Sequence, residues 1–458
     1  MASTNIQRVH TSAPTANTKC TISVWVKRSA LNSSAAFGIY GGINAAWNAA
    51  GNVQIGFNDD QAYIWFKTAS GDRKKQDSTR KFRDTNAWYH FVYRIDTTQG
   101  TASDRIRVYC NNEEITSWGS TSDPTSSEDI SFTTNGYTNY IGKFNWTNGT
   151  ANYFDGILSH FHLCDGYSYA PTEFGETDST TGEWKIKTSP NVNYGNNGYF
   201  ILKDGNSLTD QSGNGNNWST HNGTLTATED CPSNVFATLN ILDQAHISTQ
   251  PTMAYGNTQW TASGNSSSNC SMRGTIGASS GKYYFEAKLL EATHTMIGFH
   301  RPDVSGAWYD NTGYMGNNSG FYAILLNGTD TIRSVVAGSD VGSDFGTVSN
   351  NDIIGCAFDF DNSKFYFSKN GSWLNSGDPT SGSTGTGAFG SLASGHTYIP
   401  AICNQSYGTA SSTAFNFGNG YFGTTAVSSA GTNASGNGIF EYDTPTGFTA
   451  LSTKGLNL

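Results

Sequence analysis

The residues of this chain that could do chemistry are few, and most are spaced wrongly for catalysis. Glycosidic hydrolysis needs two carboxyl groups flanking the bond, one as acid and one as base or nucleophile. A strand-borne Glu-x-Asp-x-Glu run is absent, and Glu113-Glu114 falls on a predicted turn, where neighbouring side chains do not converge on one groove. Gly277-Ala278-Ser279-Ser280-Gly281 spells G-x-S-x-G, but a nucleophile elbow needs a strand before it and a helix after it. Here a strand follows, so the run reads as a serine-rich turn. His160 and His162 lie two apart on one predicted strand face and could bind a metal, but no third ligand is evident; they read as ordinary sheet residues. Asp204, Asn206 and Asp210 in KDGNSLTDQSGNG have types and spacing that suit calcium, which takes oxygen ligands from loops. The alternative for these three is an Asx-turn cluster bonding its own backbone.

Carbohydrate binding asks for something else: aromatic faces beside Asn or Asp groups that hydrogen-bond hydroxyls. Two predicted loops meet that need, with Asn145, Trp146, Asn148 and Tyr153 in the first half of the chain and Trp308, Tyr309, Asp310 and Tyr314 in the second. The competing role for each Trp is a core or interface position. The many N-x-S/T triplets follow from the abundance of Asn, Ser and Thr.

Elements that would position these loops are strands. Charged residues make up 14% of the 458, leaving few Glu/Lys pairs to support helices, while aromatics at 13% favour sheets. Residues 352–371 carry the plainest signal. Ile354, Cys356, Phe358 and Phe360 recur at every second position, Phe365 and Phe367 repeat the pattern after a turn, and Asn370-Gly371 closes the run. A period of two is a half-buried strand, and Asn-Gly supplies the positive φ of a tight hairpin. TISVWVKRS, AWYHFVYRID, RIRVYCNNEEI and YFDGILSHFHLCDG read as strands of a first segment, 1–190, with a helical turn at 169–174. Residues 191–250 form a Gly/Asn-rich connector, expected to pack on the first domain. A second segment, 251–425, contains GKYYFEAKLL, TMIGFH, FYAILLNG, YIPAICN and TAFNFG. GKYYFEAKLL puts Tyr283, Phe285, Ala287 and Leu289 on one face and Lys282, Tyr284, Glu286 and Lys288 on the other. Short strands at such spacing with Gly-rich turns predict an all-β sandwich. Residues 376–395, nearly all Gly, Ser and Thr, predict a long mobile loop, and the apolar residues of the tail, 426–458, predict docking onto a surface of this subunit or the next. No fixed-period repeat is visible, although the strand pairs at 87–114 and 352–372 share a layout that suggests two sandwiches of one kind.

Bulk properties narrow the partners. A net charge of −10 disfavours nucleic acid. The basic run Arg73, Lys74, Lys75, Arg80, Lys81 and Arg83 is interleaved with Asp72, Asp77 and Asp84, and reads either as a solvated loop or as a contact for an acidic neighbour or anionic glycan. No apolar leader core follows MASTNIQRVH, and no window reaches the ~18 apolar residues of a membrane span. The expectation is a soluble chain made in the cytosol, with no membrane insertion. Seven scattered cysteines without a C-x-x-C point to free thiols serving as small hydrophobes.

The residues now support resemblances. GKYYFEAKL, MIGF, GYMGNNSGFYAILLNG, DIIGCAFDFDNSKFYFSKNG, YIPAIC and FNFG follow in the order of a SPRY domain. That resemblance implies a bent concanavalin A-type sandwich used for binding and lacking catalysis, with its ligand surface on loops at one end. TISVWVKRS, the AWYHFVYRID–RIRVYCNNEE pair, YFDGILSHFHL and SLTDQSGNGNNW resemble the laminin-G-like or concanavalin A-like lectin class, whose loops also hold calcium in many members. WVKRS, YFDGILSHFHLCDGYSYAPTEFGE, DQSGNGNNW and GFTALST together resemble virion proteins of tailed bacteriophages, particularly marine and cyanobacterial ones.

The expected fold is therefore all-β: two tandem concanavalin A-like antiparallel jelly-roll sandwiches joined by an extended connector. The resemblances imply a non-enzymatic virion structural protein, in a tail fibre or capsid appendage, assembled in the host cytoplasm. Its expected partners are other virion proteins, its own copies as a homo-oligomer, and a host surface glycan. No cofactor is expected beyond candidate calcium. The alternatives are a virion-displayed glycan hydrolase and a free protein-binding module.

Overall fold

The run at 352–371 folds as its alternation dictates. Ile353–Asp359 pairs antiparallel with Lys364–Lys369, from Ile354 opposite Lys369 to Asp359 opposite Lys364. Asn370 and Gly371 take φ values of 48° and 80°, which Asn and Gly adopt with the least strain. In this computed structural model the described residues are 3–31, 36–43, 49–130, 132–145, 151–203, 207–245, 250–262, 270–304, 315–326, 331–342, 344–404 and 410–458. The chain divides into two units, Met1–Ala227 and Thr228–Leu458. Both are antiparallel β-sandwiches of the concanavalin A-like jelly-roll kind.

In the first unit an eight-stranded sheet faces a six-stranded one. The six-stranded sheet runs Tyr199–Ile201, Gly156–Asp165, Lys19–Arg28, Trp88–Asp96, Ile106–Cys110, Glu113–Glu114 in spatial order. Alternate residues point inward: Ile22, Val24 and Val26 from one strand and Phe91, Tyr93 and Ile95 from its neighbour meet Ile55, Phe57, Ile64 and Phe66 of the opposite sheet in one core. The second unit repeats the plan with a seven-stranded and a nine-stranded sheet. Phe285, Phe358, Phe365, Phe367 and Phe415 pack there against Ile297, Phe299, Ile324 and Ile402. The helical turn expected at 169–174 is present as a single 3-10 turn, Pro171–Glu173.

Three expectations are corrected. The connector does not pack wholly on the first unit. Ser219–Asn222 pairs with Asn5–Val9 of the first sandwich, whereas Leu239–Gln244 pairs with Cys270–Gly274 of the second. The 376–395 segment is not loose. Phe389 and Leu392 are buried in the second core, and their backbone N–H groups donate to Phe365 and Ser363. The segment also binds itself: Asp378 accepts from the backbone N–H and hydroxyl of Thr380, its own N–H donates to the Thr386 carbonyl, and the Thr386 N–H donates to the Ser381 hydroxyl. Glu113–Glu114, expected on a turn, forms a two-residue edge strand against Tyr109 and Cys110.

Neither unit leaves the outer face of its hydrogen-bonded centre open. Every residue of Ile353–Asp359 is buried, and so are nine of the ten in Lys19–Arg28. In the first unit the covering chain is the segment after Asp165. Its Tyr167, Tyr169, Phe174 and Tyr194 pack on Val92, Cys164 and Phe200. In the second unit it is the tail, which docks on its own unit. Phe440, Phe448 and Ala450 cover Tyr284, Ala357 and Tyr366, and Thr449–Ala450 adds parallel to Tyr283 and Tyr284. Each covering chain is tied by the same turn. Asp210-Gln211-Ser212-Gly213-Asn214-Gly215 and Asn433-Ala434-Ser435-Gly436-Asn437-Gly438 share the pattern D/N-x-S-G-N-G. In both, the first side chain accepts from the Ser backbone N–H and hydroxyl, and the Ser hydroxyl accepts from the following Asn N–H.

Candidate functional site

The two expected carbohydrate loops fall largely outside the described residues. Trp146 and Asn148 lie there, as do Trp308, Tyr309, Asp310 and Tyr314. What is described is the framework each loop springs from.

In the first unit Lys143–Asn145 and Ala151–Tyr153 form a two-stranded ribbon, with Lys143 opposite Tyr153 and Asn145 opposite Ala151. Residues opposite one another share a face, so Asn145 and Tyr153 are diagonal neighbours on one side. The ribbon crosses Ala36–Ile43 and Val53–Asn58 closely because Gly38, Gly41 and Gly56 lie beneath it. A Cβ at Gly38 would collide with the backbone N of Phe144, and one at Gly41 with its Cα. The Gln54 amide donates to the Asn145 carbonyl at 2.5 Å and accepts from the Tyr63 hydroxyl at 2.7 Å. Lys143 places its Nζ 4.0 Å from the centre of the Tyr140 ring, and burial lowers its pKa. The result is a rigid shelf with one half-buried tyrosine, one amide and one ammonium. Such a shelf can stack on and hydrogen-bond a polar ligand.

In the second unit the loop after Thr295–His300 starts from an ion cluster. Arg301 grips Asp303 through Nε at 3.1 Å and Nη2 at 2.8 Å, and His396 Nδ1 lies 2.9 Å from the same carboxylate. The Arg301 guanidinium holds the Asp303 carboxyl down to about 2. On the far side of the loop Met315 is buried, and its N–H donates to the Ser271 hydroxyl at 3.2 Å. His300 meets Asn318 at 2.9 Å, and burial lowers its pKa to about 4. These groups hold the described residues on either side of positions 305–314. The sequence reading missed Arg301, Asp303 and His396, because a pair two residues apart gains its third member only through the fold.

Asp210 does not fit a calcium ligand. Its Oδ1 accepts from the backbone N–H groups of Phe200 and Ser212, and its Oδ2 from the Ser212 hydroxyl and the Asn216 N–H, at 2.7 to 2.9 Å. Four donors occupy the lone pairs a cation would need. Asp204 and Asn206 lie outside the described residues, and among the described residues no three metal-ligating side chains converge. His160, His162 and His90 lie on one face, and each turns at least one ring nitrogen to a protein group. His90 contacts Ser23 and Trp184, His160 Nδ1 contacts Ser159, and His162 Nδ1 contacts Tyr194.

The basic run meets acidic neighbours within its own unit. Arg73 pairs with Glu128, Lys75 with Asp123, Arg80 with Glu113, Lys81 with Asp59 and Arg83 with Asp60. Glu114 pairs with Arg107. Adjacent strand residues point to opposite faces, so Glu113 and Glu114 do not share a groove. The seven cysteines, all among the described residues, form no disulfide, and six are buried. No described helix is long and apolar enough to cross a membrane.

Comparison with known proteins agrees with this architecture. Residues 3–173 match a laminin-G-type model described as the Concanavalin A-like lectin/glucanases superfamily, and residues 282–420 match the SPRY domain. No curated protein matches the chain. Among solved structures, the SPRY domain of human HERC1 is similar at 14% identity, over 39% of this chain and 96% of that one, with a TM-score of 0.29. The TRIM65 PSpry domain is similar at 10% identity, over 39% and 91% respectively, also with a TM-score of 0.29. The chain carries a concanavalin A-like domain followed by a SPRY domain, a pairing of binding-module type.

Proposed function

We propose that this protein is a non-enzymatic binding subunit of a bacteriophage particle, in a tail fibre or capsid appendage, that engages a host surface glycan through the loop ends of its sandwiches. The observation that carries the binding half is the way both frameworks are built. Asn145 and Tyr153 share one face of a ribbon held down over glycines, and Arg301, Asp303 and His396 form a charged cluster in the second unit. Polar and aromatic groups on rigid strand ends lower the ordering cost of binding. The particle half rests on the resemblance of the WVKRS, YFDGILSHFHLCDGYSYAPTEFGE, DQSGNGNNW and GFTALST runs to virion proteins. Weak sites repeated over many copies would supply the affinity through avidity.

The test combines a glycan array, probed with the purified chain multimerised on a bead, with mass spectrometry of purified particles. Glycan retention that Tyr153→Ala reduces at least fivefold supports the reading, as does a fixed copy number per particle. Absence from particles would overturn the structural role. Release of reducing sugar from host polysaccharide would overturn the non-enzymatic one. A second reading, a free module for a protein partner, is favoured by the SPRY match over 282–420 and would be indicated by monomeric behaviour with no retention on any glycan.

A further inference from the structure

On the outer face of the six-stranded sheet, His90, His160 and His162 are each at least nine-tenths buried. His90 is the best defined. Its ring stacks on Trp25 with centroids 4.7 Å apart and planes 12° apart. Its Nε2 lies 2.8 Å from the Ser23 hydroxyl, and Trp184 Nε1 donates to its Nδ1 at 2.9 Å. The His90 and Trp184 rings are 19° from coplanar, the arrangement of a side-by-side N–H···N bond. An indole N–H is only a donor. His90 Nδ1 must therefore carry a lone pair, and the ring is neutral with its proton on Nε2.

Trp184 belongs to a small hairpin, Gly175–Thr177 paired with Trp184–Ile186. Residues 176, 177, 179–183 and 185 are exposed. The hairpin's own ties are internal, such as Lys185 to Asp178 at 2.5 Å. Gly175 sits directly under the Trp184 indole, with no room for a Cβ. We propose that this hairpin is an acid-released flap, held shut by the neutral His90 ring and let go when Nδ1 takes up a proton, which uncovers an aromatic shelf made of Trp25 and His90.

Three contacts decide which partner leaves. Ser23 accepts from Nε2–H in either state of the ring. The face of Trp25 attracts a cation by about 0.5–2 kcal/mol. Only the Trp184 N–H, pointed at a newly protonated nitrogen, becomes repulsive. The other titratable or charged groups on this face are His160, His162 and Cys164 on Gly156–Asp165, Lys19 and Lys27 on Lys19–Arg28, Arg94 and Asp96 on Trp88–Asp96, and Arg107 and Tyr109 on Ile106–Cys110. Glu183 and Lys185 flank Trp184 in exposed positions. His160 disfavours a charge on both neighbours, and burial with that repulsion lowers His90 to about 3 while the flap is closed. With the flap open the ring meets water and its affinity for a proton returns toward the ordinary value near 6.5.

The experiment is hydrogen exchange of the full chain followed by mass spectrometry between pH 7.5 and 5.0, corrected for intrinsic rates. The expected result is a loss of protection in 175–187 approaching tenfold per pH unit below about 6.5, with Trp88–Asp96 still protected. His90→Gln keeps an acceptor for Trp184 and a donor for Ser23 without titrating, and should abolish the pH response. Trp184→Phe should leave the hairpin open at every pH, and decides the matter if the Gln variant does not fold. Protection in 175–187 that is independent of pH overturns the proposal. So does exchange of 175–187 at the same absolute protection as Trp88–Asp96, which would mean that the hairpin opens only with the whole unit, or a wild-type pH response in either variant.

Discussion

At the residue scale, two carboxylates show how far side-chain type alone can mislead. Asp210 stands in a run whose oxygen spacing suits calcium, yet its oxygens are filled by donors from residues 200, 212 and 216. The sequence holds both readings, since Asx turns and calcium loops draw on the same residues. Only the backbone path, which folds the N–H groups back on the carboxylate, separates them. Asp210→Ala should therefore lower stability by about 2–3 kcal/mol, because several buried donors lose their acceptor. A chelator should leave the thermal midpoint of the wild type unmoved. Chemical denaturation with and without chelator checks both, and a chelator-induced drop would restore the metal. Glu286 is the counterpart in the second unit. Fully buried, it accepts from the backbone N–H groups of Glu441 and Tyr442 at 2.9 Å and from Asn416 and Tyr284 at 3.2 Å. Alternation placed it on one face with Lys282, Tyr284 and Lys288, and nothing local to GKYYFEAKLL reveals that the chain returns over it. Glu286→Ala should cost about 3 kcal/mol and open 428–448 to protease. An uncut tail would show that the apolar contacts hold it without the carboxylate.

At the element scale, inner faces were readable and outer faces were not. Ile22, Val24 and Val26, or Phe285, Ala287 and Leu289, lie in the cores where their period of two places them. A period of two says that one face is apolar. It does not say that the other is wet. Here the second face is closed by 166–227 in one unit and by 418–458 in the other, stretches that mostly lie beyond the matched regions 3–173 and 282–420. The D/N-x-S-G-N-G turn shared by these straps was a signal present in the letters, hidden by the long interval between its copies. The candidate binding loops were legible as residue types only. Asn145 and Tyr153 do share a ribbon face, but the glycines that seat the ribbon come from strands about 90–115 residues earlier. If the tail strap is structural, its aromatic anchors should matter as core residues do. Phe440 is 1% exposed and packs edge-on to Tyr284 with centroids 5.0 Å apart. Phe440→Ala should cost about 3–4 kcal/mol, read as a lower denaturation midpoint of the second unit alone. A loss under 1 kcal/mol would make the strap an accessory.

At the scale of the whole molecule, the two units share an architecture but differ in how they bury titratable groups, so acid should tell them apart. In the first unit His10, His90 and His162 are buried as neutral rings. Burial lowers His10 to about 4 and His90 to about 3, and takes His162 well below its ordinary value. A histidine with a depressed folded pKa contributes stability that is complete above its unfolded value near 6.5 and is lost as pH falls below it. Three such groups acting together make a slope of about 2 kcal/mol per pH unit at 6.5 that approaches about 4 a unit lower, or about 3 once the 175–187 hairpin has released His90. In the second unit the signs oppose. His300, lowered by burial to about 4, loses stability in the same window. Glu286, raised by burial to about 7 against the pull of its backbone donors, gains stability as pH falls from 7 toward its ordinary value near 4.5. Its proton is taken up more readily in the folded state, so its contribution is complete in acid and lost as pH rises. The raised carboxyls of Asp155 and Asp165 oppose the histidines of the first unit, but both start from 3.8 and act mainly lower in the range. Between pH 6.5 and 5 the first unit should therefore lose stability steeply while the second stays nearly level. Hydrogen exchange under mild denaturant, with peptides from Trp88–Asp96 and Ile353–Asp359 as reporters, measures the two separately. Parallel loss in both, or earlier loss in the second, would mean that groups other than the buried histidines and Glu286 set the acid limit of the molecule.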